Sequence, residues 1–316
     1  MTPRIVFMGT PDFAVSSLDA IVKARFEVAA VVTVPDRKSG RGQRVSTSPV
    51  KDYALEHGLP ILQPEKLRDP LFIEELRSLA ADIFVVVAFR MLPQVVWSMP
   101  PLGTFNLHAS LLPHYRGAAP INWAIINGGT ESGVTTFMLN ERIDEGEMLL
   151  QAATPITDTD NAGTLHDRLA AMGASLVVDT LHGLAEGTLH PRPQPPLAMP
   201  SPAPKIFKAD CAIDWHGSSK KIHDFVRGLS PYPAANAAMT DSHGNSIDMK
   251  IFDTQYESCV HEEPVGTIVT DNKNTLKIAV KDGFVKILTL QISGKRKITA
   301  SEFLRGYNIN NWKLTI

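Results

Sequence analysis

The first half of the chain alternates short, continuously apolar segments with longer segments that have the spacing of amphipathic helices. The apolar segments span 4–8, 28–34, 81–88 and 103–108, and helical spacing covers 13–24, 48–57, 69–80 and 120–127. Uninterrupted apolar segments of this length are typical of strands buried on both faces. Because strands that alternate with helices form a mostly parallel sheet with helices on both sides, this half is predicted to have an α/β fold.

The composition changes after residue 190. Residues 191–204 contain seven prolines, which is typical of a stiff, extended linker. After a helical segment at 220–229, short β-type segments follow one another at 234–239, 246–253, 266–270, 275–280 and 284–291. This spacing predicts a small antiparallel barrel. We therefore expect a first domain at 1–190, a linker at 191–208 and a second domain at 209–316, and a length of 316 residues also favours two domains.

Charge and cysteine content narrow the class of protein. The net charge is −2, so a nucleic-acid partner would have to be bound by a local basic patch. Cys211 and Cys259 are too few for a disulfide framework or a zinc site and suggest reduced thiols. The apolar segment 5–8 is too short for a signal peptide or a membrane span. We expect a cytoplasmic monomer with no membrane association.

The most informative polar residues lie at the end of the 103–108 segment. Asn106 and His108 are two residues apart, and alternate residues of a strand face the same side. Asp144 follows a further predicted strand at 133–140. Ligands of parallel sheets bind beyond the carboxyl ends of the strands. A single histidine is more often structural, but this position and these neighbours favour a site where the three side chains meet.

These three side chains could carry out acyl transfer without a nucleophilic side chain. Asn106 and His108 can donate hydrogen bonds to a carbonyl oxygen as it becomes negative, and such bonds are usually the largest catalytic contribution. Asp144 can orient His108, keep it protonated, or relay a proton from an attacking amine.

Two neighbouring segments could form the walls of a small-molecule pocket. Ser110, Leu111, Leu112 and Pro113 combine backbone polar groups with apolar side chains, as pockets for flat ligands do. Phe89, Met91 and Leu92 lie in the segment 88–93, which ends another apolar strand and could form the opposite wall. An ordinary loop at 110–113 is the alternative.

A basic, glycine-containing loop spans 35–51. It carries Arg37, Lys38, Arg41, Arg44 and Lys51 against a single acidic residue, Asp36. Such a loop could bind a phosphate backbone, although a solvated loop is the alternative. No metal-ligand spacing surrounds His108 or His114, so we expect no metal. No P-loop or G-x-S-x-G turn is present, and the turn at 9–12 lacks the dinucleotide glycine pattern.

Several of these motifs together resemble the folate-dependent formyltransferases. They are Asn106-x-His108, Ser110-Leu-Leu-Pro113, Tyr115-Arg116-Gly-x-x-Pro120, Asp144, Gly9-Thr-Pro-Asp-Phe-Ala14, Pro35-Asp-Arg-x-x-Gly-Arg-Gly42, Ser48-Pro-Val-Lys51 and Lys205-Ile-x-Lys208 followed by Ile213-Asp-Trp215. The resemblance covers nearly the whole chain. It implies a Rossmann-like formyltransferase domain that binds folate, followed by an OB-fold-like barrel domain that binds tRNA.

The resemblance also implies the reaction and its residues. The donor would be 10-formyltetrahydrofolate, and the acceptor would be the amino group of methionyl initiator tRNA. Asn106, His108 and Asp144 match the family's catalytic residues, 110–113 its folate-contacting segment, and the basic loop its tRNA-binding insertion, with Arg41 as the key arginine. The family usually has Ala-Tyr-Gly and a longer segment where this chain has 88–93, so we expect a different folate-pocket wall here.

Two other enzymes of the family share the donor half of this chemistry. One formylates the amine of a sugar nucleotide, and the other hydrolyses formyltetrahydrofolate. A non-catalytic RNA-binding module is a further alternative, which the intact catalytic residues disfavour.

Overall fold

The computed structural model describes residues 2–39, 44–197, 199, 201–309 and 312–315. The chain folds into two compact units. The first unit comprises 1–117, 132–154 and 166–202, and the second comprises 118–131, 155–165 and 203–316.

The strands of the described residues, in chain order, are β1 (Arg4–Gly9), β2 (Glu27–Val32), β3 (Arg37–Ser39), β4 (Arg44–Ser46), β5 (Ile61–Leu62), β6 (Ile83–Val87), β7 (Thr104–His108), β8 (Arg116–Gly117), β9 (Glu131–Met138), β10 (Met148–Pro155), β11 (Pro202–Ala203), β12 (Ala235–Asp241), β13 (Ser246–Ser258), β14 (Ile268–Thr270), β15 (Leu276–Val280), β16 (Gly283–Ile292), β17 (Lys297–Thr299) and β18 (Trp312–Leu314). The α-helices are α1 (Asp12–Lys23), α2 (Pro49–Glu56), α3 (Pro70–Ser78), α4 (Gln94–Trp97), α5 (Pro120–Ile126), α6 (Ala162–Glu186), α7 (Ser219–Leu229) and α8 (Ala300–Gly306), and a 3₁₀ helix spans Lys208–Cys211. Within the described ranges, no helix is both long enough and apolar enough to cross a membrane.

The first unit is built on one seven-stranded sheet in the order β10-β9-β7-β6-β1-β2-β5. Strands β7, β6, β1, β2 and β5 are parallel, and β9 runs antiparallel to β7. Every residue of β6 is buried, as its continuous apolar sequence predicts. The predicted α/β fold is confirmed. Val87 and Leu107 are paired, so the carboxyl ends of β6 and β7 lie side by side.

Helices α2 and α3 of this unit begin at residues whose side chains cap them. The Ser48 hydroxyl accepts a hydrogen bond from the Lys51 backbone N–H at 3.1 Å, and the Asp69 carboxylate accepts one from that of Leu71 at 2.9 Å. A proline follows each cap in the first turn, where its missing N–H costs nothing.

The second unit contains an antiparallel sheet in the order β14-β15-β16-β13-β12-β18, with β17 paired to β16. The edge strands β14 and β18 approach each other, so the sheet curls into a nearly closed barrel. Trp215 and Phe303 are fully buried in its apolar core, together with residues of α7 and α8. The predicted barrel domain is confirmed.

The second unit includes two segments that the composition places in the first domain, 118–131 and 155–165. Helix α5 packs on α7, where Asn122 donates to the Gly228 carbonyl at 2.8 Å and a side chain at Gly228 would collide with Ile126. Arg227 of α7 donates to the carbonyls of Thr157 and Asp160, both at 3.0 Å. These contacts join residues about 70 to 106 positions apart, which composition along the chain does not reveal.

Replacing Phe303 with Ala is expected to destabilise the protein by about 3–5 kcal/mol, because it removes a fully buried aromatic ring and leaves a cavity. Urea denaturation of Phe303→Ala and the parent protein would measure this loss. Val260→Ala changes a fully exposed side chain and serves as the control. A loss for Phe303→Ala no larger than that of the control would contradict the buried position.

Candidate active site

His108 is the last residue of β7 and its side chain is 7% exposed. The ring Nε2 lies 2.8 Å from the carbonyl oxygen of Tyr115. A carbonyl can only accept, so Nε2 carries a proton and donates it. The other ring nitrogen, Nδ1, faces Asp144 at 3.9 Å from Oδ2. Nδ1 is therefore the nitrogen left for reacting atoms.

Asp144 lies in the tight loop between β9 and β10. Its φ of 54° is in the left-handed region, which Asp tolerates better than most residues and which is typical of strained functional positions. Its Oδ2 accepts the backbone N–H of Gly117 at 2.9 Å. Two residues later, a Cβ on Gly146 would lie 1.6 Å from the Met138 carbonyl oxygen. Only glycine fits there, so the loop that carries Asp144 has a fixed path.

Asn106 completes the set from the same strand as His108. The two side chains share one face of β7, and that of Asn106 is half-buried. Among the described residues, the Asn106 amide makes no hydrogen bond, so its N–H groups are free to donate to a ligand. The structure thus brings His108 and Asp144 together and places Asn106 beside them. An amide and an imidazole on β7, with a carboxylate that a loop brings to the imidazole, suit the stabilisation of an oxyanion and the transfer of a proton.

The segment 110–113 is held rigidly against β9 and β10. The Thr135 hydroxyl donates to the Ser110 carbonyl at 2.7 Å and accepts the Leu112 N–H at 3.1 Å, and Gln151 donates to the Leu112 carbonyl at 2.8 Å. The Ser110 hydroxyl donates to the His114 carbonyl at 2.6 Å. These groups are engaged within the fold, so a ligand would meet the remaining surface of the segment.

Thr135 and Gln151 were not predicted as site residues. Thr135 is fully buried on β9, and Gln151 lies on β10, a strand that the sequence patterns did not predict. β9 contains several polar residues, among them Thr136 next to Thr135, so its sequence gives no local signal that singles out this contact.

The segment 88–93 continues β6 at the neighbouring strand end. Leu92 is buried in the core and Phe89 packs against the same cluster, whereas Met91 is 71% exposed. Arg90 turns inward, and its guanidinium donates to the carbonyls of Glu65, at 2.9 Å, and Pro64. Burial and the nearby charge of Arg37 lower the pKa of Arg90. Arg90 thus fixes the shortened segment 88–93 to the backbone of Pro64 and Glu65.

In the basic segment, β3 and β4 pair in antiparallel fashion, with Arg37 opposite Ser46 and Lys38 opposite Val45. The side chain of Arg37 is exposed. Arg41 lies outside the described residues, and of Lys38 and Arg44 the structure describes the backbone.

Lys51, the remaining basic residue of the predicted set, lies on α2 and donates to Asp36 at 2.6 Å. This bond and one from Gln63 lower the pKa of Asp36. The positive charge of Lys51 is therefore partly neutralised by the carboxylate of Asp36.

Comparison with known proteins defines the class. Residues 3–181 match the formyl transferase family, and residues 205–308 match the formyl transferase C-terminal domain. The chain belongs to the formyl transferase family.

Its relatives include named enzymes of nearly the same length. The chain is 52% identical over 311 residues to the methionyl-tRNA formyltransferase of Bacteroides thetaiotaomicron, covering 98% of this chain and 97% of the relative. It is 54% identical over 309 residues to that of Parabacteroides distasonis, covering 96% and 95%. An N-formyltransferase from Helicobacter canadensis, solved with folinic acid and dTDP-3-aminofucose, has the same fold, with a TM-score of 0.64, 21% identity and coverage of 93% and 99%.

Proposed function

We propose that this protein transfers a formyl group from 10-formyltetrahydrofolate to the free amino group of methionyl initiator tRNA, giving N-formylmethionyl-tRNA for translation initiation. The observation that carries the proposal is the juxtaposition of His108 and Asp144 beside Asn106 in a chain that is 52% identical, over nearly its full length, to a named methionyl-tRNA formyltransferase. Solved family members with bound folates support the donor.

We assign a role to each of the three side chains. As the amine attacks the formyl carbon, a carbon–nitrogen bond forms and negative charge develops on the formyl oxygen. The Asn106 amide and a protonated Nδ1 of His108 donate to that oxygen. The oxygen–carbon double bond then re-forms as the bond to the folate nitrogen breaks. Asp144 stabilises the protonated ring and lies close enough to relay a proton.

The proton balance of this reaction needs no covalent intermediate with the protein. The acceptor ammonium loses one proton to become the attacking amine and a second proton once the carbon–nitrogen bond has formed. One of these two protons reaches the departing folate nitrogen, and the other is released to solvent. The 3.9 Å separation of Nδ1 and Oδ2 exceeds a direct hydrogen bond, so an amine proton or a water molecule can bridge the two groups.

The pocket walls suit a flat folate ring. Segment 110–113 provides a rigid apolar side that includes the half-buried Leu111. Phe89 and Met91 lie at the neighbouring strand end, whereas Leu92 packs in the core. Pockets for such ligands combine apolar walls with a few placed polar groups, which here are the three catalytic side chains.

The decisive experiment supplies the protein with 10-formyltetrahydrofolate and methionyl initiator tRNA and analyses the tRNA for formyl-methionine. Formyl-methionine on the tRNA is expected. Release of tetrahydrofolate without formylated tRNA would select a hydrolase. Formylation of a sugar-nucleotide amine, with the tRNA left unmodified, would select the sugar-directed activity. Binding of tRNA with no turnover would select the RNA-binding module.

We assign phosphate contacts on the tRNA to Arg37, Lys38, Arg41, Arg44 and Lys51, with further contacts from the barrel domain. The apparent affinity for the tRNA is therefore expected to fall linearly with salt on a double-logarithmic plot, because each contacted phosphate releases counterions. Arg37→Ala is expected to reduce the slope by about 1. Filter binding at several salt concentrations measures it.

Arg68 is exposed and lies outside the assigned set, so Arg68→Ala removes the same charge and serves as the control. Equal slopes for Arg37→Ala and Arg68→Ala would remove Arg37 from the assigned contacts. A flat salt response of the unmodified protein would indicate an uncharged acceptor.

A further inference from the structure

The proline-rich segment 191–201 does more than connect the two domains. Arg192 and Met148 form a backbone bridge, with hydrogen bonds of 2.7 and 2.8 Å in the two directions. Near the other end of the segment, the Ser201 carbonyl accepts the N–H of Tyr115 at 2.7 Å. Both contacts attach the segment close to the proposed catalytic groups. Met148 directly follows the loop that carries Asp144, and Tyr115 lies in the loop that follows His108.

Between these two contacts, Gln194 inserts its amide into the loop of Asp144. Its Nε2 donates to the carbonyls of Asp144 and Gly146, both at 2.8 Å. Its Oε1 accepts from Arg116 Nε at 3.2 Å and Nη2 at 2.7 Å. Both amide N–H groups and the oxygen are therefore engaged.

These hydrogen bonds form a closed series of contacts that links Arg116, Gln194 and Asp144. Arg116 holds Gln194, Gln194 holds the Asp144 backbone, and the Asp144 carboxylate accepts the N–H of Gly117, the residue after Arg116. Because Asp144 has a left-handed backbone, its carboxylate keeps its direction only if the surrounding contacts hold that conformation. The two carbonyls bound by Gln194 belong to Asp144 itself and to Gly146, so Gln194 fixes the backbone that directly follows the strained φ of Asp144.

We propose that Gln194 is a positioning residue that keeps Asp144 facing His108, which makes the proline-rich segment part of the active site. The role is defined for formyl transfer and so rests on the proposed function. The contact of Ser201 adds to it, since the N–H that it binds belongs to Tyr115, whose carbonyl holds Nε2 of His108. The segment thus supports both members of the His108–Asp144 pair.

The test compares three substitutions at one position. Gln194→Ala removes every bond and is expected to lower kcat about 10- to 100-fold, as loss of a supporting contact at a site does, with the KM for tRNA little changed. Gln194→Glu keeps the acceptor for Arg116 but places a carboxylate against two carbonyls, so a loss at least as large is expected. Gln194→Asn keeps both functional groups on a shorter side chain and is expected to rescue part of kcat.

A double-mutant cycle separates positioning from a merely structural role. If Gln194 acts through Asp144, adding Gln194→Ala to Asp144→Asn should lower kcat little further, because the contact to be positioned is already lost. Additive losses would overturn the proposal, as would an unchanged kcat of Gln194→Ala in the folded protein. Thermal unfolding of each variant gives the folded fraction used to correct kcat.

Two comparisons complete the experiment. Arg192→Ala lies in the same segment, and its bridge uses only the backbone, so kcat is expected to stay unchanged. If the unmodified protein forms no formyl-methionyl-tRNA, the proposed function fails. If it forms the product and Gln194→Ala does so at the full rate, this inference alone fails.

Discussion

His108→Ala is expected to lower turnover by about a hundredfold to a thousandfold, the usual loss when an oxyanion donor is removed. The ring is buried, and its Nδ1 is the nitrogen that faces the site. The reduction should lie in kcat and in kcat/KM equally, because this interaction forms only as charge develops on the formyl oxygen. Steady-state formylation of methionyl initiator tRNA measures it.

A control for this substitution lies in the same loop. His114 is exposed, so His114→Ala should leave turnover nearly unchanged. Removing the His108 ring also leaves the Tyr115 carbonyl without its donor, and circular dichroism with thermal unfolding should therefore accompany the kinetics. Near-normal turnover of a folded His108→Ala protein would remove His108 from the mechanism.

The second large effect is expected from Asp144→Asn, which should lower kcat about a hundredfold or more. Asn tolerates the left-handed backbone and can still accept the Gly117 N–H, so the substitution removes the charge with little change in shape. Without the carboxylate, the protonated His108 loses its stabilising partner. Single-turnover kinetics with saturating donor and acceptor isolates this step.

Asp144→Ala provides a second comparison at the same position. It removes the charge and also puts a less tolerant residue at a φ of 54°, so its stability should fall below that of Asp144→Asn. Ile143→Ala changes an exposed neighbour and should behave like the parent protein. A fully active Asp144→Asn protein would show that the charge is not needed.

The sequence predicts most of the elements that carry the site. The apolar segments at 81–88 and 103–108 correspond to β6 and β7, and the same-face spacing of Asn106 and His108 holds in the folded strand. These properties are local, because the period of a strand fixes which neighbours share a face. The place of Asp144 does not follow from strand ends, because β9 runs antiparallel to β7 and its last residue, Met138, pairs with Phe105. The loop after β9 brings the carboxylate back to His108.

The rest depends on contacts between distant residues. Gln194 lies 50 positions from Asp144 and has an unremarkable place among prolines, so its hydrogen bonds could not be read from any period or motif. Buried and exposed residues alternate along only part of strand β10, so the strand is recognised from its pairing in the sheet and not from its sequence pattern. The inward turn of Arg90 depends on two carbonyls about 25 residues away.

The close packing at Gly146 limits how this active site can change by descent. Every single-base change of a glycine codon that alters the amino acid adds at least one carbon atom, and here that atom would overlap the Met138 carbonyl. Position 146 is thus closed to stepwise substitution, while an exposed neighbour such as Ile143 can vary. New acceptor preferences in this lineage would have to arise from loops outside the turn that holds the carboxylate.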